Sequence, residues 1–346
     1  MGDGILRKLI ATFYPDRNKY LLQEVALTEN RPQRPVVLIE DPQKPEVQAL
    51  LADAPEELDI RCLKSAEKFA DHIGEVEILY GFICEADLPH ATLLRWVQLP
   101  HAGVESFMYP AFTASDIVLT NCRGLYGPQI AEHAFALLLA LTRGIPAQLE
   151  FMQRKHWERV PCLELAGMTL GIIGLGGIGR AIAARAKAFE FEVIAVDAEP
   201  VEKPAGVDQL GGMDWLPELL ARAHVVVVCC PSTPATHRLL GRDEFARMPP
   251  GGYLINVSRG RIIDEEALIA ALRSGQLAGA GLDVTYVEPC PPESPLWTEE
   301  NVILTSHSAG ASQHIRRRAM QLFVDNLQRY VRGEPLLNVV DKHKGY

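Results

Sequence analysis

The sequence has no pattern of a metal site or of a disulfide-stapled secreted domain. Its seven cysteines form no Cys-x-x-Cys pair, and its ten histidines include no His-Glu-x-x-His motif. Because zinc sites need ligands clustered at such spacings, we predict no bound metal. An odd number of cysteines without a framework of pairs is typical of a reducing compartment, so we expect the protein to be cytoplasmic.

Long hydrophobic runs are also missing. No stretch reaches the roughly 20 uninterrupted apolar residues that a membrane helix needs, and the N-terminus shows neither the apolar core nor the cleavage site of a signal peptide. Asp3, Asp16 and Glu24 argue against a transit peptide. We therefore predict no membrane association and interpret residues 1–34 as an N-terminal extension.

Basic residues are fewer than acidic residues. The chain carries 34 Lys and Arg residues against 44 Asp and Glu residues, a formal net charge of -10 at pH 7. Such a field repels the phosphate backbone of nucleic acids, so we expect no nucleic-acid partner. An anionic small molecule would need its own positive site, such as a buried arginine or a set of backbone amides.

The chain is long enough for two domains, because its 346 residues exceed what one hydrophobic core usually organises. Short apolar runs alternate with helical patterns, which is typical of parallel α/β sheets. The first series of apolar runs covers residues 36–39, 47–51, 78–82 and 96–99. A very apolar helix at 129–143 and a second helical stretch at 149–157 follow it.

A second series predicts a doubly wound sheet. Its strand candidates are residues 168–173, 192–196, 225–229, 253–257, 278–284 and 302–304. Helical patterns at 177–189 and 265–273 lie between them, and six such strands make a complete doubly wound sheet. We expect a last helix at 312–332 to return to the first domain, which would make that domain discontinuous.

A glycine-rich turn follows the first strand of this series. Residues 170–179 read LGIIGLGGIG, which gives Gly174, Gly176 and Gly179 the G-x-G-x-x-G spacing. The first glycine permits a tight turn, the second lets the backbone approach a pyrophosphate, and the third lets helix and strand pack closely. The helix N-terminus adds free amides and a positive dipole end, so the pattern predicts a dinucleotide site.

An acidic residue follows at the expected distance. Asp197 ends the strand FEVIAVD, eighteen residues after Gly179. A carboxylate there accepts hydrogen bonds from the adenosine ribose and repels a 2′-phosphate, which predicts NAD rather than NADP. Taken alone, an Asp after a strand usually only opens a loop. The combination with the glycine turn favours cofactor binding.

Ordered blocks along nearly the whole chain carry a resemblance to a known family. They read NCRGLYGPQIAEHAFALLLALTR at 121–143, GIIGLGGIGRAIA at 171–183, CPSTPAT at 230–236, INVSRGRIIDEEAL at 255–268, GLDVTYVEP at 281–289 and LTSHSAG at 304–310. In this order they resemble the D-isomer-specific 2-hydroxyacid dehydrogenases, and within that family the glyoxylate and hydroxypyruvate reductase branch.

The resemblance implies a fold, an activity and an assembly. The fold would be α/β with two doubly wound parallel sheets: a flavodoxin-like substrate domain at 35–124, a Rossmann NAD-binding domain at 125–307, and a segment at 308–346 that returns to the substrate domain. The activity would be NAD(H)-dependent interconversion of a small 2-keto acid and its D-2-hydroxy acid. Relatives pair through the helix at 129–143, so we expect a homodimer.

The resemblance also implies catalytic roles. Arg259 in SRG would clamp the substrate's carboxylate and carbonyl oxygen with a permanently charged fork. His307 would protonate the carbonyl oxygen, and Glu288 would hydrogen-bond the far ring nitrogen and stabilise the imidazolium. A lone histidine is more often structural than catalytic, but three such residues in register favour catalysis.

Further contacts follow from the same resemblance. Backbone amides of Ala102, Gly103 and Val104 in LPHAGVES would hold the substrate carboxylate. Asp283 would bind the nicotinamide carboxamide, although closing a strand is an almost equally good interpretation. The remaining predicted cofactor contacts are Gly177, Ile178, Pro231 and Thr236.

One departure and two alternatives stay open. Ser306 precedes His307 where the family usually has proline. Because serine does not lock φ, it fixes the backbone less tightly than proline does. The first alternative is an NAD(H)-sensing, corepressor-like binding protein with little turnover. The second is a formate-type or phosphoglycerate-type dehydrogenase. Assays of NADH oxidation with several keto acids distinguish these functions.

Overall fold

The computed structural model describes residues 34–39, 49–63 and 69–346. These residues fall in two compact units: the chain up to Leu125 together with Ser312–Tyr346, and Tyr126–Ala311. All but one residue of the predicted extension at 1–34 lies outside the described residues. Of the predicted run at 47–51, residues 49–51 are described, and they are helical.

The first unit contains a parallel sheet of five strands. The strands are β1 (Val36–Ile39), β2 (Asp59–Cys62), β3 (Val76–Tyr80), β4 (Trp96–Gln98) and β5 (Val118–Thr120). Their order is β2-β1-β3-β4-β5, which is the flavodoxin-like order. The sequence patterns did not predict β2 and β5, and both are edge strands.

Besides the helical residues 49–51, the described residues of this unit contain the helices α1 (Pro110–Thr113) and, after the second unit, α8 (Ile315–Arg332). Helix α8 covers one face of the sheet, because Met320, Phe323 and Leu327 form an apolar stripe against Ile78 and Trp96. The helix ends at a glycine in the left-handed conformation, a common way to satisfy the last carbonyls.

The second unit contains a parallel sheet of seven strands. They are β6 (Thr169–Ile173), β7 (Glu192–Val196), β8 (Gln209–Gly211), β9 (Val225–Val228), β10 (Gly252–Asn256), β11 (Leu277–Leu282) and β12 (Val302–Leu304). The order β12-β11-β10-β9-β6-β7-β8 reverses between β6 and β9, as in a Rossmann sheet. The prediction of six strands was therefore one short, because the edge strand β8 has no apolar run.

Six helices accompany this sheet. They are α2 (Gly127–Thr142), α3 (Ile145–Gln153), α4 (Gly177–Ala188), α5 (Leu216–Arg222), α6 (Arg242–Arg247) and α7 (Glu265–Arg273). Helix α2 packs closely on β11, since a Cβ on Gly281 would lie 2.7 Å from the Cβ of Leu137. The predicted architecture of two doubly wound parallel sheets is confirmed.

No single helix in the described residues is long and apolar enough to cross a membrane. Helices α2 and α3 reach the required length and hydropathy only as a pair, with a bend of 66° between them.

Candidate active site

The glycine turn between β6 and α4 is shaped by three different constraints. Gly174 has a φ of +95°, and a Cβ there would lie 2.7 Å from the backbone of Cys230. A Cβ on Gly179 would lie 2.2 Å from the carbonyl oxygen of Gly174, so the first turn of α4 rests against the end of β6. A Cβ on Gly176 would meet no atom within 4 Å.

The open space at Gly176 lies at the N-terminus of α4, which Gly176 caps. The first-turn amides of a helix, here including Gly177 and Ile178, have no intrahelical acceptors. An anion of pyrophosphate size is what such a turn accommodates, because amides and dipole both favour negative charge. The glycine turn therefore fits the pyrophosphate of a dinucleotide.

Asp197 lies beside this turn. It directly follows β7, and its Oδ2 accepts a hydrogen bond from the Leu175 amide at 2.6 Å. Its Oδ1 accepts one from the Glu199 amide at 2.9 Å. Each oxygen keeps a further lone pair, so the carboxylate is fixed in place and still able to accept hydroxyl groups.

The loop after β9, on the other side of the switch point, closes on itself. The hydroxyl of Thr236 donates to the carbonyl of Pro231 at 2.7 Å and accepts from the Thr233 amide at 2.8 Å. Burial raises the pKa of the neighbouring Cys230 thiol to about 12, so this thiol is protonated and unreactive at neutral pH. Pro231 and Thr236 thus shape a short loop next to the glycine turn.

Three predicted catalytic residues follow neighbouring strands of one sheet. Arg259 follows β10, Glu288 lies in the loop after β11, and His307 follows β12. Carboxyl ends of parallel strands lie at the same edge, where ligands of such sheets bind. The Nη1 of Arg259 donates to the carbonyl of Ser258 at 2.8 Å, which turns the guanidinium back over its own loop.

His307 and Glu288 form a hydrogen-bonded pair. The distance between His307 Nδ1 and Glu288 Oε2 is 2.8 Å. The other carboxylate oxygen, Oε1, accepts from the Thr285 amide at 3.3 Å, so the carboxylate is oriented. His307 Nε2 has no hydrogen-bond partner among the described residues, and the side chain is 48% exposed. The imidazole is therefore held at one nitrogen and accessible at the other.

At Gly260 the loop that carries Arg259 packs against the loop that carries Glu288. A Cβ on Gly260 would lie 2.0 Å from the carbonyl carbon and oxygen of Thr285, so the two backbones are in direct contact. Sequence reasoning did not single out this glycine. Its position immediately after Arg259 in SRG was the available signal, because close backbone approach requires glycine.

Asp283 anchors the loop that carries His307. The carboxylate is 2% exposed, and it accepts from the Ser308 and Ala309 amides at 2.9 Å each and from the Thr305 hydroxyl at 2.6 Å. Its main-chain carbonyl accepts from the His307 amide at 2.8 Å. Oδ2 receives only the Ala309 amide and keeps one lone pair, so the predicted carboxamide contact stays a prediction.

The remaining predicted substrate residues lie in the first unit, in the loop after β4. Three successive carbonyls of this loop accept hydrogen bonds: His101 O from the Cys122 amide at 2.9 Å, Ala102 O from Asn121 Nδ2 at 2.7 Å, and Gly103 O from His101 Nδ1 at 2.9 Å. Within the part of the chain that the structure describes, the amides of Ala102, Gly103 and Val104 donate to no other group.

These three amides can therefore bind an anion such as a carboxylate. Asn121 is 2% exposed and was not predicted as a site residue. Its contact with Ala102 spans 19 residues, and no local pattern marks it. Among residues 34–39, 49–63 and 69–346, no group of three or more His, Cys, Asp or Glu side chains could hold a metal ion.

Comparisons with known proteins identify the class and the family. A Rossmann sheet with this glycine turn defines an NAD(P)-dependent oxidoreductase. Residues 135–309 match the model of the D-isomer specific 2-hydroxyacid dehydrogenase, NAD binding domain. The chain belongs to the D-isomer specific 2-hydroxyacid dehydrogenase family, as predicted.

Two curated relatives illustrate the range of that family. A glyoxylate reductase from Korarchaeum cryptofilum is 36% identical over 261 residues, which cover 73% of this chain and 77% of the relative. A D-3-phosphoglycerate dehydrogenase from Methanocaldococcus jannaschii is 32% identical over 305 residues, which cover 80% of this chain. The chain spans only 57% of the length of the latter.

Solved structures give the same result for the fold. A family member from Aeromonas salmonicida aligns with a TM-score of 0.81 at 35% identity and covers 90% of this chain and 100% of its own. An NADPH-dependent glyoxylate/hydroxypyruvate reductase from Sinorhizobium meliloti, in complex with NADP and sulfate, aligns with a TM-score of 0.78 at 28% identity over the same shares. Family membership alone therefore leaves the choice between NAD and NADP open.

Proposed function

We propose that the chain interconverts a small 2-keto acid, similar to glyoxylate or hydroxypyruvate, and its D-2-hydroxy acid with NAD(H). The observation that carries this proposal is the 2.8 Å pair of His307 Nδ1 and Glu288 Oε2, with Nε2 left accessible. A carboxylate-held imidazole at the same sheet edge as a dinucleotide turn is suited to proton transfer coupled to hydride transfer.

In this proposal His307 transfers the proton and Arg259 binds the substrate. When bound at the glycine turn, the dinucleotide supplies the hydride for reduction and accepts it in oxidation. In reduction His307 would act as the imidazolium and give the Nε2 proton to the keto oxygen, while its Nδ1–H continues to donate to the Glu288 carboxylate. In oxidation Nε2 takes the proton back. Arg259 pairs its charge with the substrate carboxylate and carbonyl oxygen.

Substrate binding would also use the amides of Ala102, Gly103 and Val104. None of these amides donates to another group in the described residues, which supports the assignment because they are then available to an anion. Arg259 and the neutral amides are each a local positive site of the kind that the net charge of -10 makes necessary for an anionic ligand.

We propose NAD as the preferred cofactor. Asp197 is held at the end of β7 beside the glycine turn, and Glu199 follows two residues later. A carboxylate in this position accepts ribose hydroxyls and repels the 2′-phosphate of NADP. The Sinorhizobium relative is NADPH-dependent, so a direct comparison of both cofactors is needed.

The test is a panel of substrates assayed with both cofactors. NADH or NADPH oxidation is followed with glyoxylate, hydroxypyruvate, pyruvate and 3-phosphohydroxypyruvate, and NAD reduction with formate. We expect turnover with glyoxylate or hydroxypyruvate and NADH. His307→Ala should lose about 100- to 10,000-fold of the turnover number while binding NADH normally. His90→Ala, at an exposed histidine of the first unit, is the matched control.

Each result has a distinct meaning. Binding of NADH without turnover of any compound would support the nucleotide-sensing alternative. A strong preference for 3-phosphohydroxypyruvate or formate would assign the chain to the phosphoglycerate-type or formate-type dehydrogenases instead. Wild-type turnover in His307→Ala would show that His307 is not the general acid and base.

We also propose that the protein is a homodimer. Helix α3 and the segment after it expose Ile145, Leu149, Met152 and Trp157, the last with its whole side chain accessible. The first three lie on one helix face at a spacing of four and three residues. A second copy of the chain is the proposed occupant, since α2, which precedes α3, is the predicted pairing helix. Sedimentation of Leu149→Glu should show monomers, whereas Leu93→Glu, at an exposed leucine of the first unit, should not.

A further inference from the structure

A histidine outside the predicted catalytic set touches the loop that carries His307. His133 lies in the middle of α2, and its Nε2 is 2.9 Å from the Thr305 hydroxyl and 3.4 Å from Asp283 Oδ1. The Thr305 hydroxyl is in turn 2.6 Å from Asp283 Oδ1. These contacts join α2 to the residues on both sides of His307.

The direction of each hydrogen bond follows from proton counting. A threonine hydroxyl has one proton, and the carboxylate of Asp283 can only accept, so Thr305 donates to Asp283. The hydroxyl oxygen must then accept from His133, which therefore carries its proton on Nε2. His133 Nδ1 has no partner among the described residues, so nothing else there selects the tautomer.

The loop that this chain supports holds His307 in an unusual conformation. His307 has a φ of +51°, in the left-handed region, which non-glycine residues adopt only where surrounding bonds fix the backbone. Those bonds come from Asp283: its carbonyl binds the His307 amide, and its carboxylate binds the amides of Ser308 and Ala309. Asp283 is thus the element that sets the His307 backbone.

We propose that His133 is a positioning residue for His307, acting through Thr305 and Asp283. The proposal rests on the proposed function for its kinetic consequence. Without the His133 donor, the Thr305 hydroxyl can rotate away and the Asp283 carboxylate loses one of its three neutral donors. Since a displacement of about 1 Å at a catalytic group can cost up to about 100-fold in rate, even a partial loosening should be measurable.

The experiment compares His133→Leu, which removes the donor, with His133→Gln, whose amide can donate at a similar reach. We expect His133→Leu to lower the turnover number about 10-fold, with the Michaelis constant for NADH nearly unchanged. His133→Gln should restore most of the loss. Thr305→Val interrupts the same chain without altering α2, and the double variant His133→Leu/Thr305→Val should be no slower than Thr305→Val alone.

A second measurement does not depend on turnover. In protein labelled with 15N at histidine, the ring nitrogens of His133 should show a proton on Nε2, and His133→Leu should shift the ring signals of His307. Unchanged His307 signals would overturn the proposal, as would wild-type turnover in His133→Leu. Equal losses of activity and melting temperature in His133→Leu and His133→Gln would also overturn it, because they indicate a structural role. A wild-type protein without turnover would instead overturn the proposed function.

Discussion

Replacing Gly176 with alanine should separate cofactor binding from folding. The backbone at Gly176 has a φ of −71° and a ψ of −160°, which alanine can adopt, and a Cβ there meets nothing within 4 Å. Two small effects on the free energy of unfolding oppose each other. Alanine is a poorer N-cap than glycine by about 1 kcal/mol. It also restricts the unfolded chain, which stabilises by about 0.4–1 kcal/mol.

Binding of the dinucleotide should respond quite differently. The methyl group of Gly176→Ala occupies the space through which a pyrophosphate approaches the amides of α4. Losing one hydrogen bond to a charged group costs about 1.5–3 kcal/mol. We therefore expect the dissociation constant of NADH to rise about 10- to 100-fold, since each factor of ten corresponds to about 1.4 kcal/mol.

The assay pairs calorimetric titration of NADH with thermal unfolding in its absence. Gly74→Ala, whose Cβ would meet only the carbonyl of His90 at 3.8 Å, should leave the NADH affinity unchanged and raise the melting temperature slightly, because it restricts the unfolded chain in the same way. Gly179→Ala should instead lower the melting temperature, because its Cβ would lie 2.2 Å from the Gly174 carbonyl oxygen. Unaltered NADH affinity in Gly176→Ala would refute the placement of the pyrophosphate at this turn.

Four further predictions follow from the geometry. Asp197→Ser should lower the ratio of the specificity constants for NADH and NADPH, and a constant ratio would exclude Asp197 as the selective residue. Glu288→Gln should lower the turnover number, because an amide in place of the carboxylate no longer pairs its charge with the imidazolium; wild-type turnover in this variant would contradict the pairing. Gly260→Ala must separate backbones that would meet at 2.0 Å, so we expect about a 100-fold loss in specificity constant for the keto acid with normal NADH binding. Burial lowers the pKa of Lys342 to about 8 from 10.5 in the unfolded chain, so the unfolded chain binds more protons between these values and stability rises with pH there. Urea midpoints at about pH 7.5 and 10 should show this rise in the wild type and a smaller one in Lys342→Met.

The sequence predicted the central strands of both sheets and missed three of the four edge strands. Strands Glu192–Val196 and Val302–Leu304 and helix Glu265–Arg273 match the predicted bounds. The missed strands β2, β5 and β8 are all at sheet edges. Edge strands need not be apolar on both faces, and β2 (DIRC) and β8 (QLG) carry no continuous hydrophobic run. Strand β5 has only three residues, too few for a clear pattern.

The same limit applies to the candidate site. Motifs identified residues of a known chemical type, such as Arg259 and His307, because those lie in locally ordered blocks. They did not identify His133, which contacts Thr305 from 172 residues away, or the left-handed backbone of His307. Such features depend on which distant segments the fold brings together, and a single sequence does not contain that information in any local pattern.

The division of the first unit into two stretches of chain has a consequence for synthesis. Its sheet is translated early, but the helix that covers one face, α8, is made only after the 186 residues from Tyr126 to Ala311. At about 5–20 residues per second, the ribosome needs roughly 10–40 s for that interval. The second unit is therefore fully synthesised first, and the nascent first sheet keeps an uncovered apolar face meanwhile. We expect this interval to be the period in which the growing polypeptide depends most on chaperones.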